Sequence, residues 1–164
     1  MAVPDLVMFD EEYGHLKEAV RSLRKDANAK AVFLVDKNGQ QIASAGELEQ
    51  LDGTSLASLT AGTVAATDGL ARILGEKEFS VIFHEGERDS LHISVVSSRM
   101  ILVVIFDERS SLGLVRLRVR KTQEVMTGVF AQMEVKSAQQ AAPAQSDSPF
   151  AEITDDDIDA LFSD

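Results

Sequence analysis

The sequence predicts an α/β fold of the α+β sandwich type, in which helices cover both faces of one sheet. Segments with apolar residues at helical spacing alternate with shorter segments of strand pattern, in the order helix, two strands, helix, three strands, helix. One strand segment, MILVVIF at 100–106, is apolar on both faces. A strand of this kind needs cover on both sides, so it belongs in the centre of the sheet.

Length and composition are typical of a soluble globular protein. The 164 residues are enough for one domain of about 100–150 residues with a tail. The chain has no cysteine, which excludes disulfides and thiolate metal sites. No apolar run approaches the roughly 20 residues of a membrane-spanning helix, and MAVPDLVMFDEEYG does not resemble a signal peptide. We therefore expect a cytoplasmic protein that does not insert into a membrane.

The charge is acidic and uneven. A net charge of −11 argues against a nucleic-acid partner, because the phosphate backbone favours basic surfaces. Residues 147–164 hold seven acids and no base, which leaves 20 acidic against 16 basic residues in 1–146. The seven are Asp147, Glu152, Asp155, Asp156, Asp157, Asp159 and Asp164.

The first three elements are predicted from periodicity. A helix from about Asp10 to Ala27 has apolar residues every three or four positions. Strands follow at Ala31–Val35 and Gln40–Ala45. Asn38 and Gly39 between them are typical of a tight hairpin, in which we expect them to take positive φ angles.

The second helix is predicted between a cap at Asp52 or Thr54 and a closing Gly75. Larger residues at helical spacing are expected to form its main apolar stripe. They are Leu56, Leu59, Thr63, Ala66, Leu70 and Ile73.

The other side of this helix is nearly bare of side chains and of charge. Two interior glycines each cost roughly 1 kcal/mol relative to alanine, so close approach of another backbone is expected to compensate. Either the chain's own sheet and helices cover this side, or it forms a helix–helix interface with a second copy or a partner. The small residues are Ala57, Ala61, Gly62, Ala65 and Gly69.

Residues 79–107 are predicted to form three strands, and a long helix is expected to begin near Ser110 or Ser111. Periodicity is lost at 137–149, which is rich in Ala, Gln, Ser and Pro. We therefore divide the chain into a folded domain at 1–136, a flexible linker at 137–149 and a C-terminal segment at 150–164.

The C-terminal segment, FAEITDDDIDALFSD, has the features of a recognition helix. Thr154 as N-cap with Asp157 three residues later forms a capping box, and Ile153 with Ile158 forms a hydrophobic staple. Ile158, Leu161 and Phe162 lie at i, i+3 and i+4, as in helices that dock in grooves. A helix this short is unstable alone, so it should order on binding. The alternative is an acidic terminus that only aids solubility.

Few residues suggest catalysis, and no phosphate-binding loop, nucleophile elbow or HExxH motif is present. We expect no cofactor. His84 and His92 flank a predicted hairpin loop, where they either hold a metal with Glu85 or Glu87 or are simply solvated. A basic cluster either meets an acidic partner or forms a solvated face. It contains Arg109, Arg116, Arg118, Arg120 and Lys121.

Four stretches closely resemble the Roadblock/LC7 family: ANAKAVFLVDKNGQQIASAG, TSLASLTAGTVAATDGLARILG, SRMILVVIFDERSSLGLVRLRVRK and SPFAEITDDDIDALF. The resemblance covers roughly Leu6 to Phe162 and is closest to the branch that controls polarity and gliding motility in bacteria. It implies an antiparallel five-stranded sheet in the order αββαβββα. The second helix would lie on one face, and the first and third on the other.

The resemblance also implies a function. Proteins of this branch are homodimers that pair their second helices and activate a small Ras-like GTPase, with two copies of the chain per GTPase and no catalytic arginine of their own. The alternatives are a non-catalytic scaffold and a nucleotide-exchange regulator. The implied location is the cytoplasm, at a cell pole. The candidate partner-binding residues are Ala57, Ala61, Ala65, Gly69, Phe150, Ile153, Ile158, Leu161 and Phe162.

Overall fold

A computed structural model describes residues 9–141 and 160–162. The elements follow the expected order αββαβββα, and residues 160–162 are helical. They are α1 (Asp10–Asp26), β1 (Ala31–Asp36), β2 (Gln41–Gly46), α2 (Gly53–Leu74), β3 (Val81–Glu85), β4 (Ser90–Val96), β5 (Met100–Phe106) and α3 (Leu112–Ala141).

The five strands form one antiparallel sheet in the order β2-β1-β5-β4-β3. All seven residues of β5 are buried, which confirms that the strand apolar on both faces lies at the centre. β1 pairs β5 over its whole length, from Ala31 opposite Ile105 to Asp36 opposite Met100. The edges are therefore β2 and β3.

Helices pack on both faces of the sheet. On one face, the antiparallel helices α1 and α3 enclose the larger core, with Leu16 and Leu23 of α1 and Met126 and Met133 of α3 fully buried or nearly so. On the other face, α2 covers a smaller core that includes Phe33 of β1. The α+β sandwich and the distribution of its helices agree with expectation.

Local hydrogen bonds fix the turns and helix ends. Asp52 caps α2 by accepting a bond from the Ser55 backbone N–H at 3.1 Å, and Gly75 closes α2 at φ +78°. In the β1–β2 turn, the Asp36 carboxylate accepts hydrogen bonds from the backbone N–H groups of Asn38 and Gln40, and Gly39 takes φ +89°. The expectation that Asn38 also has positive φ is wrong, because this turn needs only one left-handed residue.

Helix α3 is longer than expected. It continues to Ala141, so the predicted linker at 137–149 is wrong over 137–141. Residues 137–141 are Ser, Ala, Gln, Gln and Ala, and most of these are good helix formers even without an apolar stripe. Residues 142–149 lie outside the described part of the chain.

Among the helices within 9–141 and 160–162, none is long and apolar enough to span a membrane.

Candidate partner interface on the second helix

The surface of α2 that faces away from the sheet is apolar. Leu59, Leu70 and Ile73 are 72%, 57% and 81% exposed. They share the α2 outer face with Gly62, Thr63 and Ala66, none of which is buried. The sequence places Leu59, Leu70 and Ile73 on the main apolar stripe of α2, and in the structure they form the exposed side of the helix.

Small residues instead hold α2 against the sheet. Its buried residues are Ala57, Thr60, Val64 and Ala71. The strands beneath already supply large side chains, including Phe33 and Val103, so the space left for the helix suits short ones. Helical periodicity shows that two faces differ, but it does not tell which of two apolar faces meets the core.

The α2 outer face offers a partner neither charge nor free hydroxyl donors. Asp68 and Arg72 are the only charged residues in Gly53–Leu74. The Thr63 hydroxyl donates to the Leu59 carbonyl at 2.9 Å, and the Thr67 hydroxyl donates to the Thr63 carbonyl at 2.8 Å. Such bonds satisfy the threonine hydroxyls within the helix. What is left is a surface suited to apolar contact with another protein.

The predicted interface residues of α2 divide between the core and the surface. Ala57 is completely buried between α2 and the sheet, so it cannot contact a partner while the fold is intact. Its prediction as a partner-binding residue is wrong. Ala61 is partly buried against the smaller core, whereas Ala65 is exposed and Gly69 half-buried. A Cβ atom built on Gly62 or on Gly69 meets nothing within 4 Å. Contacts within the protomer therefore do not require glycine at these two positions.

Only two of the predicted tail anchors can be located. Leu161 and Phe162 are helical and 80% and 86% exposed. Phe150, Ile153 and Ile158 lie outside the described residues. The helical state of 160–162 fits the predicted recognition helix, while the contacts of its anchors stay a prediction.

The hypothesis of a metal site between His84 and His92 is wrong. Strand register pairs Phe83 with His92 and His84 with Leu91, which puts the two imidazoles on opposite faces of the sheet. His92 is buried and His84 is exposed. In the part of the chain that the structure describes, no cluster of three or more His, Cys, Asp or Glu residues can hold a metal ion.

The basic cluster separates into different environments. Arg109 precedes α3 and binds Asp107 at 2.9 Å and Glu47 at 2.9 Å. Hydrogen bonds from Arg109 lower the pKa of both carboxyl groups. Arg116, Arg120 and Lys121 are exposed along α3, and Arg118 is half-buried. Arg109 therefore ties the β5–α3 loop to the residue after β2, a contact between distant segments that no local pattern reveals.

A known protein family matches most of the folded part of the chain. Residues 16–106 match the model of the Roadblock/LC7 domain. The matched range extends from the middle of α1 to the end of β5, which includes α2 and the whole sheet. The chain belongs to the Roadblock/LC7 family.

Within this family the chain is similar to MglB proteins of known structure. It is 57% identical to Myxococcus xanthus MglB over 78% of this chain and 96% of that one, with a TM-score of 0.74. The gliding protein MglB from Thermus thermophilus is 30% identical, over 80% and 99%, with a TM-score of 0.73. A structure described as MglB with tetrameric arrangement is 29% identical, over 80% and 99%, with a TM-score of 0.74. Comparison with curated proteins returned no match.

Proposed function

We propose that this chain is a homodimeric regulator that activates GTP hydrolysis by a small Ras-like GTPase of the MglA type. Through that GTPase it controls cell polarity and gliding motility, acting in the cytoplasm at a cell pole. Two copies of the chain act on one GTPase. The observation that carries the proposal is the uncharged α2 outer face in a chain 57% identical to Myxococcus xanthus MglB.

The α2 outer face is the proposed dimer contact. Leu59, Leu70 and Ile73 are exposed in a single protomer, and burying a side chain of this kind stabilises a contact by about 1.5–3 kcal/mol. Gly62 lies among them, and Gly69 lies beside them with open space at its Cβ position. Two glycines allow the backbone of a second helix to approach closely, which compensates for their low helix propensity.

The catalytic groups are proposed to belong to the GTPase. Activators in general act either by inserting an arginine or by positioning the GTPase's own residues. Arg109 is engaged with Asp107 and Glu47, and so is a poor candidate for an inserted arginine. The dimer is therefore proposed to remodel the GTPase, with the tail anchors as a second, tethered contact.

The test is single-turnover GTP hydrolysis by the cognate MglA-type GTPase, alone and with this protein at saturating concentration. We expect an acceleration of several orders of magnitude. Gly69→Arg should abolish it, and Ala65→Arg should weaken it, because a long charged side chain enters the proposed contact. Since Gly69 has open space around it, the variant protomer should still fold.

A matched control uses another helical glycine. Gly14 of α1 also has nothing within 4 Å of a built Cβ, and it lies on the opposite side of the sheet from α2. Gly14→Arg should keep the full acceleration. The mass of each variant in solution, measured by sedimentation equilibrium, separates loss of the dimer from loss of the GTPase contact.

Other outcomes would point to the alternatives. Binding without acceleration would make the protein a scaffold. Faster nucleotide release without faster hydrolysis would make it an exchange regulator. Full activity in both Gly69→Arg and Ala65→Arg would contradict the proposed contact.

A further inference from the structure

A groove runs between α1 and α3 on the side of the sheet away from α2. Its volume is about 420 Å³, which is within the usual range of about 300–1,000 Å³ for protein binding pockets. Its lining includes His15, Ala19 and Ser22 of α1 and Thr122, Val125 and Val129 of α3.

Helix packing explains why the groove is open. Ala19 and Ser22 are short, so α1 does not fill the space beside α3 at this level. Val125 is 57% exposed, although Met126 next to it is fully buried. The groove is therefore an apolar surface that no described residue covers.

We propose that the occupant of this groove is the chain's own C-terminal segment, residues 150–162. Leu161 and Phe162 are helical and exposed, so the conformation described here is the undocked one. A docked segment would place Ile158, Leu161 and Phe162 against Ala19, Val125 and Val129. Docking would thus remove from water both the exposed apolar side chains of the segment and the apolar surface of the groove.

The connection is long enough for this contact. Val125 precedes the end of α3 at Ala141 by 16 residues, or about 24 Å along a helix. The 17 residues from Ala141 to Ile158 span at most roughly 56 Å when extended. The segment can therefore return along α3 to the groove of its own protomer.

Charge constrains how the helix can dock. The groove lining also contains Glu18, Asp26 and Lys121. On a helical wheel, Asp156 and Asp159 lie away from Ile158, Leu161 and Phe162, whereas Asp155 and Asp157 flank these apolar residues. With its apolar side in the groove, the segment turns Asp156 and Asp159 to solvent and leaves Asp155 and Asp157 at the rim. Lys121 is the one lysine or arginine among the described lining residues, so the docked segment should place one of these two acids beside it.

The inference does not depend on activation of a GTPase, and its test uses the full chain. Because the chain has no cysteine, Ser163→Cys provides a single site for a nitroxide spin label. We expect the label to broaden the backbone amide resonances of Ala19, Ser22 and Val125 selectively. Reduction of the nitroxide should restore them.

Two valines of α3 provide a matched pair. Val125 lines the groove and is 57% exposed, whereas Val135 does not line it and is 58% exposed. Val125→Asp should remove the selective broadening, and Val135→Asp should leave it unchanged. Both positions are exposed, so both variants should fold.

Three results would overturn the proposal. One is the absence of selective broadening at the groove. The second is an equal loss of that broadening in Val125→Asp and Val135→Asp. The third comes from mixing spin-labelled chains with isotope-labelled chains that carry no nitroxide: broadening as strong as within one chain would mean that the segment docks on another copy.

Discussion

Lys136 of α3 forms an ion pair with the buried carboxylate of Glu12 in the first turns of α1. Its ammonium group also lies 3.3 Å from a carboxylate oxygen of Glu11 and 5.6 Å from the centre of the Phe9 ring. The hydrogen bond between Lys136 and Glu12 lowers the pKa of Glu12 and raises that of Lys136. This contact joins the start of α1 to the C-terminal part of α3.

Replacing Lys136 should destabilise the fold because it leaves the Glu12 carboxylate buried without its partner. We expect Lys136→Met to lower the thermal unfolding midpoint at pH 7. The pKa of Glu12 is below its ordinary value of 4.5, so the stability from the pair is present above pH 4.5 and is lost as the pH falls below it. The deficit of the variant should shrink over that acidic range.

A double-mutant cycle provides the control for this contact. In Glu12→Gln/Lys136→Met the buried charge is gone, so the double variant should be more stable at pH 7 than Lys136→Met alone. An unchanged midpoint in Lys136→Met would contradict a stabilising role.

The burial of His92 leads us to expect a second pH dependence of stability. Its side chain is buried, neither ring nitrogen has a hydrogen-bond partner among the described residues, and Ser94 on the same face is also buried. Burial lowers the pKa of His92 below 6.5, and the nearby charge of Arg116 lowers it further. The unfolded chain then binds a proton more readily, so stability is full above pH 6.5 and falls as the pH decreases below it.

His92→Leu should remove this dependence. Replacing unpartnered buried nitrogens by an apolar group of similar size should stabilise the fold by about 1 kcal/mol at pH 7. Chemical denaturation at pH 7.5 and pH 5.5 measures both effects. The exposed His84 is the control, and His84→Leu should keep the wild-type pH dependence. An equal change in the free energy of unfolding between pH 7.5 and pH 5.5 in the wild type and in His92→Leu would show that His92 is not responsible.

Periodicity was sufficient to predict most of the fold. The bounds of α1 and the capping residues of α2 follow from local spacing and capping chemistry, and both are confirmed. The central position of β5 follows from a run that is apolar on both faces. The neighbours of β5 do not follow from it, because β1 pairs β5 across about 65 intervening residues and no local signal carries that register.

The candidate site was harder to predict. Helix α2 has two faces poor in charge, and the one with the smaller residues packs against the sheet. The choice depends on how much volume β1 and β5 leave, which is a property of the packed protein. The hypothesis of a metal site between His84 and His92 was wrong for a related reason, since a shift of one residue in register moves a side chain to the other face of the sheet.

The α2 outer face should control self-association. Ile73 is 81% exposed in the protomer, and an aspartate in the proposed contact would replace apolar burial by a buried charge. Loss of one isoleucine contact alone is about 1.5–3 kcal/mol, so Ile73→Asp should raise the dissociation constant of the dimer at least about tenfold. Sedimentation equilibrium over a dilution series measures it. Val135→Asp on α3 should leave it unchanged, and an unaltered dimer in Ile73→Asp would exclude this face.

The tail should contribute to GTPase binding without being required for folding. The buried core residues of the described chain all lie in 9–141, so a chain truncated at Ala142 should still fold. Two apolar anchors buried against the GTPase contribute about 1.5–3 kcal/mol each, so truncation should weaken binding to the MglA-type GTPase by at least about tenfold. Leu161→Ser/Phe162→Ser should reproduce most of that loss in a calorimetric titration, because it removes the apolar anchors and keeps every acid. Asp164→Ser, which removes an acid and keeps the anchors, should bind like the wild type. If the double serine variant binds normally while truncation weakens binding, the contribution does not come from Leu161 and Phe162, and their assignment as anchors is wrong.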